Sequence, residues 1–391
     1  MMPDLDERFR TLRSVQAPEL WQDIAAREPR ESPPSMPSPW RRVAIASFAI
    51  VVGVAGLGFA VSAFRSRGPV PRASEAPPTV VDDIGVTVTD PVQIGPRGQT
   101  SAIAYGFGRV WVSYYDVQGG GHVAVLDPET LDVRATIDDV PVPSWETGGG
   151  GLAVGLGSVW IGGSSPNGAA LGRIDPATLQ VDRTFVLSPS GTIADVAIAD
   201  GGLWALMNDR HGPPSILYRL DPDSGAVRSA TDFADTGRRV VSFGPNVGVV
   251  TWEFRSDTYS GARFSVVDPG DGLVLGSRML DASGYINRLS PGGVGTPWAL
   301  SGGDVVELDP ATGTVLRTVA LPAGRFDDVV EGGGGLWVLG RHALRIDPDS
   351  GTIEASVKLP DDVGWSAVAA SDDAVFLMSW EGTVARLTPS P

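Results

Sequence analysis

The chain has 391 residues, of which 42% are hydrophobic and 19% charged, and it contains 50 Gly and 32 Pro but no Cys. The lack of Cys excludes disulfides, thiolate metal sites and cysteine nucleophiles, while the Gly and Pro content suits a turn-rich β protein. Residues 1–78 carry ten Arg and eight acidic residues, so the formal charge of −16 leaves −18 on residues 79–391. Phosphate backbones repel so acidic a domain, which argues against nucleic acid as a partner.

Residues 1–40 are polar and predict a cytoplasmic tail with two short amphipathic helices. Apolar residues fall at helical spacing around Phe9 and again around Trp21. Each pattern is too short to form a stable helix by itself. The tail is therefore either weakly structured or a docking motif that folds on a cytoplasmic partner or on the membrane surface, and the sequence leaves both open.

Residues 43–64 form an uncharged run of 22 residues, long enough to span the hydrocarbon layer as a helix. A cleaved signal peptide is the alternative, but the run is long and 42 residues precede it, which favours an uncleaved anchor. Four Arg closely precede the run and three follow it, a bias that favours a cytoplasmic N-terminus. The sequence thus predicts a single-pass cell-membrane protein, with a Pro-rich linker at residues 65–79 and an extracytoplasmic domain at residues 80–391.

Residues 80–391 repeat one pattern: a Trp in a second short strand, followed by Asp-Pro at the end of a third. The pairs are Trp111 with Asp127, Trp160 with Asp175, Trp204 with Asp221, Trp252 with Asp268, Trp298 with Asp309 and Trp337 with Asp347, and a degenerate seventh copy has Phe376 and Thr388. A period of about 40–50 residues with four strands per unit is typical of a β-propeller. The Trp side chains are interpreted as packing between blades.

The seventh copy stops after its third strand, and the segment Gly85–Gly95 has the pattern of the missing fourth strand. A four-stranded sheet cannot cover both of its faces alone, so the repeats are expected to close into a ring. The predicted fold is an all-β, seven-bladed β-propeller of four-stranded blades, closed by an N-terminal strand and preceded by one transmembrane helix.

Within each repeat the Asp-Pro segments predict tight turns. The sequences at residues 221–223 and 347–349 read Asp-Pro-Asp but lack the longer ligand series of a calcium loop. The second-to-third connections and the returns to the next first strand vary in length, and the second-to-third connections of the first four repeats are longer than those of the fifth and sixth. Recognition surfaces on rigid scaffolds are usually built from such loops. The predicted binding-face residues are Trp145, Glu146, Asp209, His211, Glu253, Arg255, Asp257, Tyr285, Asn287, Arg325, Asp327 and Trp365.

The repeat GLWVLGRHALRIDPDSGTIEASVKLP (Gly335 to Pro360) resembles bacterial propellers of the virginiamycin B (streptogramin) lyase and YVTN-repeat type. The N-terminal DERFRTL and PELW segments resemble small actinobacterial membrane proteins. The lyase resemblance implies magnesium-assisted opening of a cyclic depsipeptide by His and Glu residues on the open face. None of His122, His211 and His342 lies in a matching lyase motif, so the resemblance assigns no catalytic residue.

Two functions follow as expectations. The favoured one is a non-enzymatic, membrane-anchored module without a cofactor, which binds a protein or small ligand on its loops, because no paired nucleophile and base or Gly-rich phosphate loop is present. The alternative is a metal-dependent lyase or hydrolase that uses Glu253 and Asp257 near His211, with magnesium or calcium. A structural element of an envelope assembly is a third reading that the sequence does not separate from the first.

Overall fold

The computed structural model describes residues 85–389 apart from 95–98, 143–150, 210–211, 256–257, 282–288, 291–296 and 361–362. The chain divides into two units, Met1–Val70 and Pro71–Pro391, and every described residue belongs to the second. The predicted tail, membrane helix and linker lie outside the described residues. No helix among the described residues is long and apolar enough to cross a membrane.

The described strands form seven antiparallel sheets, which are the seven predicted blades. Six of them contain four sequentially adjacent strands, and the seventh contains the last three strands of the chain together with two short strands from residues 86–93. Two short strands come first, β1 (Val86–Val88) and β2 (Val92–Gln93). Blade 1 contains β3 (Gln99–Gly106), β4 (Arg109–Tyr115), β5 (Gly121–Leu126) and β6 (Val133–Val140); blade 2 contains β7 (Leu152–Gly155), β8 (Ser158–Ser165), β9 (Gly168–Asp175) and β10 (Gln180–Ser188); blade 3 contains β11 (Thr192–Ala199), β12 (Gly202–Asp209), β13 (Gly212–Leu220) and β14 (Val227–Phe233).

The remaining blades follow the same order along the chain. Blade 4 contains β15 (Thr236–Phe243), β16 (Asn246–Arg255), β17 (Thr258–Val267) and β18 (Val274–Asp281); blade 5 contains β19 (Leu289–Ser290), β20 (Trp298–Ser301), β21 (Asp304–Leu308) and β22 (Val315–Val319); blade 6 contains β23 (Phe326–Gly332), β24 (Gly335–Gly340), β25 (His342–Ile346) and β26 (Ile353–Lys358); blade 7 contains β27 (Trp365–Ala370), β28 (Val375–Ser379) and β29 (Thr383–Pro389).

The connections define two faces of the ring. The tight turns between first and second strands and between third and fourth strands form one face, called the turn face here. The second-to-third connections and the returns form the opposite one, the loop face. β1 and β2 pair antiparallel with β29, with Val86 opposite Pro389 and Val92 opposite Val384. Since β29 runs from the loop face to the turn face, the chain enters blade 7 at the turn face.

The repeated Trp side chains pack between blades, as predicted. Trp111, Trp160, Trp204, Trp298 and Trp337 are all at most 2% exposed. Trp204 of blade 3, for example, lies in one apolar cluster with Val240 and Val249 of blade 4. A sheet that is too thin to shield its own faces is thus covered by its neighbour.

Blade 4 departs from the predicted register. Trp252 was assigned to the repeated Trp position, but Gly248 occupies it, since Gly248 pairs with Val266 as Trp204 pairs with Arg219 in blade 3. The ring of Phe264 from the third strand lies 3.0 Å from where a Cβ of Gly248 would be. Phe264 therefore fills the space that Trp fills elsewhere, and Trp252 lies four residues nearer the loop face.

The Asp of each Asp-Pro segment caps its turn. Asp127 Oδ1 accepts hydrogen bonds from the backbone N–H groups of Glu129 and Thr130 at 2.9 and 3.0 Å. The Asp residues at 175, 221, 309 and 347 accept equivalent pairs of bonds. The predicted turn chemistry is therefore confirmed.

The same turns connect neighbouring blades. Arg173 Nη1 of blade 2 donates to the carbonyl of Pro222 in blade 3 at 3.4 Å, and Arg219 Nη1 of blade 3 donates to that of Pro269 in blade 4 at 2.5 Å. Equivalent bonds join Arg109 to Pro176, Asn246 to Pro310 and Arg317 to Pro348. The recurring Pro thus supplies an acceptor to the preceding blade.

Candidate functional site

The first strands of all seven blades surround a central channel that contains a cavity of about 300 Å³. Most lining residues are Ala, Val, Ile or Leu, and the charged exceptions are Asp195, Arg239, Asp328 and Glu331. Three of these follow a register shift of the β-bulge type in their strand, at Ile193/Asp195, Gly237/Arg239 and Phe326/Asp328. Because bulges re-aim side chains, the same local irregularity brings charge into an apolar channel at three places.

Asp195 and Asp328 are equivalent residues that join adjacent blades. Asp195 Oδ2 accepts a hydrogen bond from the backbone N–H of Val240 in blade 4, and Asp328 Oδ2 accepts one from Val368 in blade 7, each at 2.9 Å. Both side chains are buried, at 3% and 2% exposure. Arg239 Nη1 lies 3.6 Å from Asp195 Oδ1. These carboxylates therefore stabilise the ring, since a buried charge persists only when it is paired.

The loop face is stepped: the hairpins that form it extend farther in blades 1–4 than in blades 6 and 7, because their second strands are longer. The second strands contain seven to ten residues in blades 1–4, with β16 the longest, whereas β24 contains six and β28 five. The extra residues predicted as loops therefore extend the hairpins as strands, and Asp209 and Glu253 lie in β12 and β16. Gly248 holds the repeated Trp position in blade 4, and Asp268 lies 20 positions after it. This separation is longer than the Trp-to-Asp separation in the other blades, so the β16–β17 hairpin is the tallest.

A group of interacting side chains lies at the base of this hairpin. Arg263 Nε is 3.2 Å from Asp235 Oδ2, and Arg263 Nη2 is 3.5 Å from Glu253 Oε2. The guanidinium carbon of Arg238 lies 3.4 Å from the ring centroid of Trp252. These five residues, Asp235, Arg238, Trp252, Glu253 and Arg263, are called the blade 4 cluster below. Its charges balance, and its aromatic and guanidinium groups are those enriched in binding hot spots.

Blade 1 holds a histidine between two carboxylates on the same face. His122 Nδ1 lies 2.7 Å from Asp138 Oδ1, and His122 Nε2 lies 3.1 Å from Asp116 Oδ2. The imidazole stacks on Tyr114 with a centroid separation of 5.0 Å. The backbone N–H of Gly120, followed by the His122 bond, holds the pKa of Asp116 below its usual value. The arrangement fixes the ring of His122 and leaves both of its nitrogens engaged.

Trp380 provides an exposed aromatic ring on the low side of the step. It lies between β28 and β29 and is 51% exposed. Its backbone is held, because the Trp380 N–H donates to Gly364 O at 3.2 Å and its carbonyl accepts from Thr100 N at 3.4 Å. A large ring on a fixed backbone costs little conformational entropy when it binds.

The predicted binding-face residues are only partly described. Trp145, Glu146, His211, Asp257, Tyr285 and Asn287 lie outside the described residues, as does the side chain of Arg255. Among the described side chains, no group of three or more His, Asp and Glu residues that would hold a metal ion is found.

The five predicted residues with described side chains do not form one group. Glu253 belongs to the blade 4 cluster, while Asp209 ends β12 opposite Gly212 in blade 3. Arg325 and Asp327 form a 2.8 Å ion pair in blade 6. Trp365 is 5% exposed and packs in the core between blades 6 and 7, so it belongs to the interior and not to the exposed surface.

Sequence reasoning missed Asp195, Arg239, Asp328 and Trp380. A signal existed for Asp195, because it interrupts a short apolar strand, TIADVAIA over residues 192–199, whereas Arg239 and Asp328 each follow another charged residue near the start of their strands. An isolated Asp inside a strand of buried residues indicates a paired internal charge. Trp380 was missed because it lies within the degenerate seventh copy of the repeat, between Phe376 and Thr388, and has no counterpart in the repeated pattern.

Comparisons with known proteins place this geometry among β-propellers. No protein-family model and no curated protein matches the sequence. A catalytically inactive virginiamycin B lyase from Staphylococcus aureus with quinupristin is similar at TM-score 0.58 and 12% identity, over 78% of this chain and 99% of that one.

Two further solved structures have the same fold. The WD40 β-propeller domain of Doa1 is similar at TM-score 0.54 and 12% identity, over 78% of this chain and 97% of that one. The β-propeller domain of Cps50 (Swd1) from Myceliophteria thermophila is similar at TM-score 0.55 and 10% identity, over 78% and 100%. At these identities, what the chain shares with all three is the β-propeller fold.

Proposed function

We propose that the propeller is a non-enzymatic binding module that recognises a protein partner on its loop face. The observation that carries this proposal is the stepped loop face, with the tall β16–β17 hairpin on one side and the half-exposed Trp380 on the other. Between them lies a ring in which the interior carboxylates of Asp195 and Asp328 hold neighbouring blades together. A rigid scaffold with an uneven, aromatic and charged face suits recognition of a folded partner.

The membrane attachment is part of the proposal. The uncharged run at residues 43–64 would anchor the protein, with residues 1–40 in the cytoplasm, residues 65–79 as linker and the propeller outside. The first described strand, β1, begins at the turn face. A reporter fusion after residue 391 should be active only when the reporter functions outside the cytoplasm, and activity of a cytoplasm-dependent reporter would contradict this orientation.

We also assign the closing role to β1 and β2. Their pairing with β29 supplies blade 7 with the outer strand that its own sequence lacks. A blade 7 built from both ends of the chain would have no open sheet edge, and it would close the ring.

The loop-face proposal is tested by affinity capture from envelope extracts, using the wild type and two surface variants. Trp380→Ala removes the exposed ring, and Phe107→Asn removes a ring of similar exposure, 48%, on the turn face. A partner that the wild type and Phe107→Asn retain and Trp380→Ala loses supports the proposal. Equal retention by both variants would contradict it.

A further inference from the structure

The turn-face mouth of the channel is a second cavity, distinct from the loop face. It has a volume of about 500 Å³ and lies between blades 6, 7 and 1. Its walls include Tyr105, Glu331 and Ala370, which also line the channel. The blade 7 turn adds Ser371, Asp372 and Asp373. The described lining therefore contains three carboxylates and no basic side chain.

Glu331 has an unmet hydrogen-bonding requirement in this mouth. Its backbone N–H donates to Ser290 Oγ of blade 5 at 2.9 Å, which fixes the position of the residue. Its side-chain Oε2 is buried and has no hydrogen-bond partner among the described residues. A buried carboxylate oxygen without a donor is unfavourable, and a group that brings donors and positive charge would relieve this cost.

The remaining walls are suited to a flat cation. The Tyr105 ring stacks on Phe376 with centroids 5.6 Å apart and an interplanar angle of 15°, which fixes its orientation. Asp373 is held by the Ser371 hydroxyl at 2.7 Å, and Asp372 is exposed beside it. An aromatic ring next to several carboxylates is the setting in which guanidinium groups bind, since they stack on rings and donate to carboxylate oxygens at the same time.

We infer that the turn-face mouth binds the guanidinium group of an arginine carried by a partner protein. A guanidinium supplies a donor to Glu331 Oε2 while its plane lies against Tyr105, and its other donors face Asp372 and Asp373. A compact ammonium group satisfies the charge but not the planar contact. The volume exceeds that of one side chain, so the flanking residues of the arginine also fit. The formal charge of −16 on the chain favours the approach of a basic segment.

The test uses the full-length protein and two matched probes in isothermal titration calorimetry. The probes are the tripeptide amide acetyl-Gly-Arg-Gly and the same peptide with citrulline, which keeps the shape but lacks the charge. The arginine peptide should bind saturably, and the citrulline peptide should bind about tenfold more weakly or not at all, because charge-assisted hydrogen bonds are lost. A lysine peptide should also bind more weakly than the arginine peptide.

Two variants separate a specific site from general attraction. Glu331→Gln should weaken binding of the arginine peptide by about tenfold, since it removes the buried charge. The matched control is Asp223→Asn, which removes one negative charge from a turn-face side chain that is 96% exposed. This variant should change the affinity by less than about twofold. Absence of saturable binding, equal binding of the citrulline or lysine peptide, or equal effects of the two variants would each overturn the inference. The probe comparison on wild-type protein decides the question even if Glu331→Gln does not fold.

Discussion

Removal of the Asp328 carboxylate should destabilise the propeller at the junction of blades 6 and 7. Asp328 is 2% exposed and accepts hydrogen bonds from the backbone N–H groups of Val329 and Val368, each at 2.9 Å. Asp328→Ala leaves both donors in the channel without these acceptors. Hydrogen bonds to a charged group contribute roughly 1.5–3 kcal/mol each, so we expect a loss of about 3 kcal/mol in the free energy of unfolding.

Thermal unfolding followed by circular dichroism measures this loss. For a domain of this size 1 kcal/mol corresponds to about 2 °C in Tm, so Asp328→Ala should lower Tm by about 6 °C. Asp328→Asn retains one acceptor oxygen and should lose about half as much. Asp223→Ala, at a side chain that is 96% exposed, serves as control and should leave Tm unchanged. A Tm of Asp328→Ala equal to that of the control would refute the bridging role.

The remaining predictions concern pH, the turns and the blade 3–4 junction. The pKa of Asp127 is lowered to about 2, chiefly by its hydrogen bond from Arg134. The pKa values of Asp309 and Asp347 are lowered mainly by turn N–H groups. A carboxyl group with a lowered folded-state pKa stabilises above its ordinary pKa and loses that contribution as pH falls through the lowered value. Stability should therefore fall between about pH 4 and pH 2, and urea unfolding of Asp127→Asn should show a smaller fall; identical pH profiles would contradict this. Phe107 has φ 52 in a two-residue turn, where Asn is favoured, so Phe107→Asn should raise Tm by about 1–3 °C, and a lower Tm would count against backbone strain. Asp195→Ala should also lower Tm, since it removes the acceptor of Val240 N–H and leaves Arg239 without this carboxylate; an unchanged Tm would show that the two carboxylates are not equivalent.

The repeat made most of the fold predictable from sequence. A Trp and an Asp-Pro that recur in each repeat mark the second and third strands of a blade, and the first and fourth follow from the turns between them. The prediction failed in blade 4, where Trp252 was taken for the repeated Trp. Spacing alone does not distinguish a Trp at the packing position from one four residues farther along, and only the pairing of Gly248 with Val266 reveals the difference.

The candidate site was less predictable for two physical reasons. The extra residues between second and third strands looked like loops, but β16 and β17 continue pairing and carry Glu253 on a strand. Contacts such as Asp195 with Val240 join residues from different blades, and no local pattern encodes a partner 45 positions away. Trp365 was assigned to the surface because its position at the end of the return into blade 7 resembles that of a loop residue, whereas packing with Leu359 and Leu377 places it in the core.

Closure of the ring depends on the pairing of β1 with β29 in blade 7. The chain has no Cys, so an engineered pair of cysteines reports this contact without competing disulfides from native cysteines. Thr87 lies opposite Thr388, whereas Thr383 lies opposite Gln93 farther along β29. Under mild oxidation the Thr87→Cys/Thr388→Cys protein should form an intramolecular disulfide and unfold at a higher temperature, while Thr87→Cys/Thr383→Cys should not. Cross-linking of the second pair as readily as the first, or of neither within one chain, would contradict the closed ring.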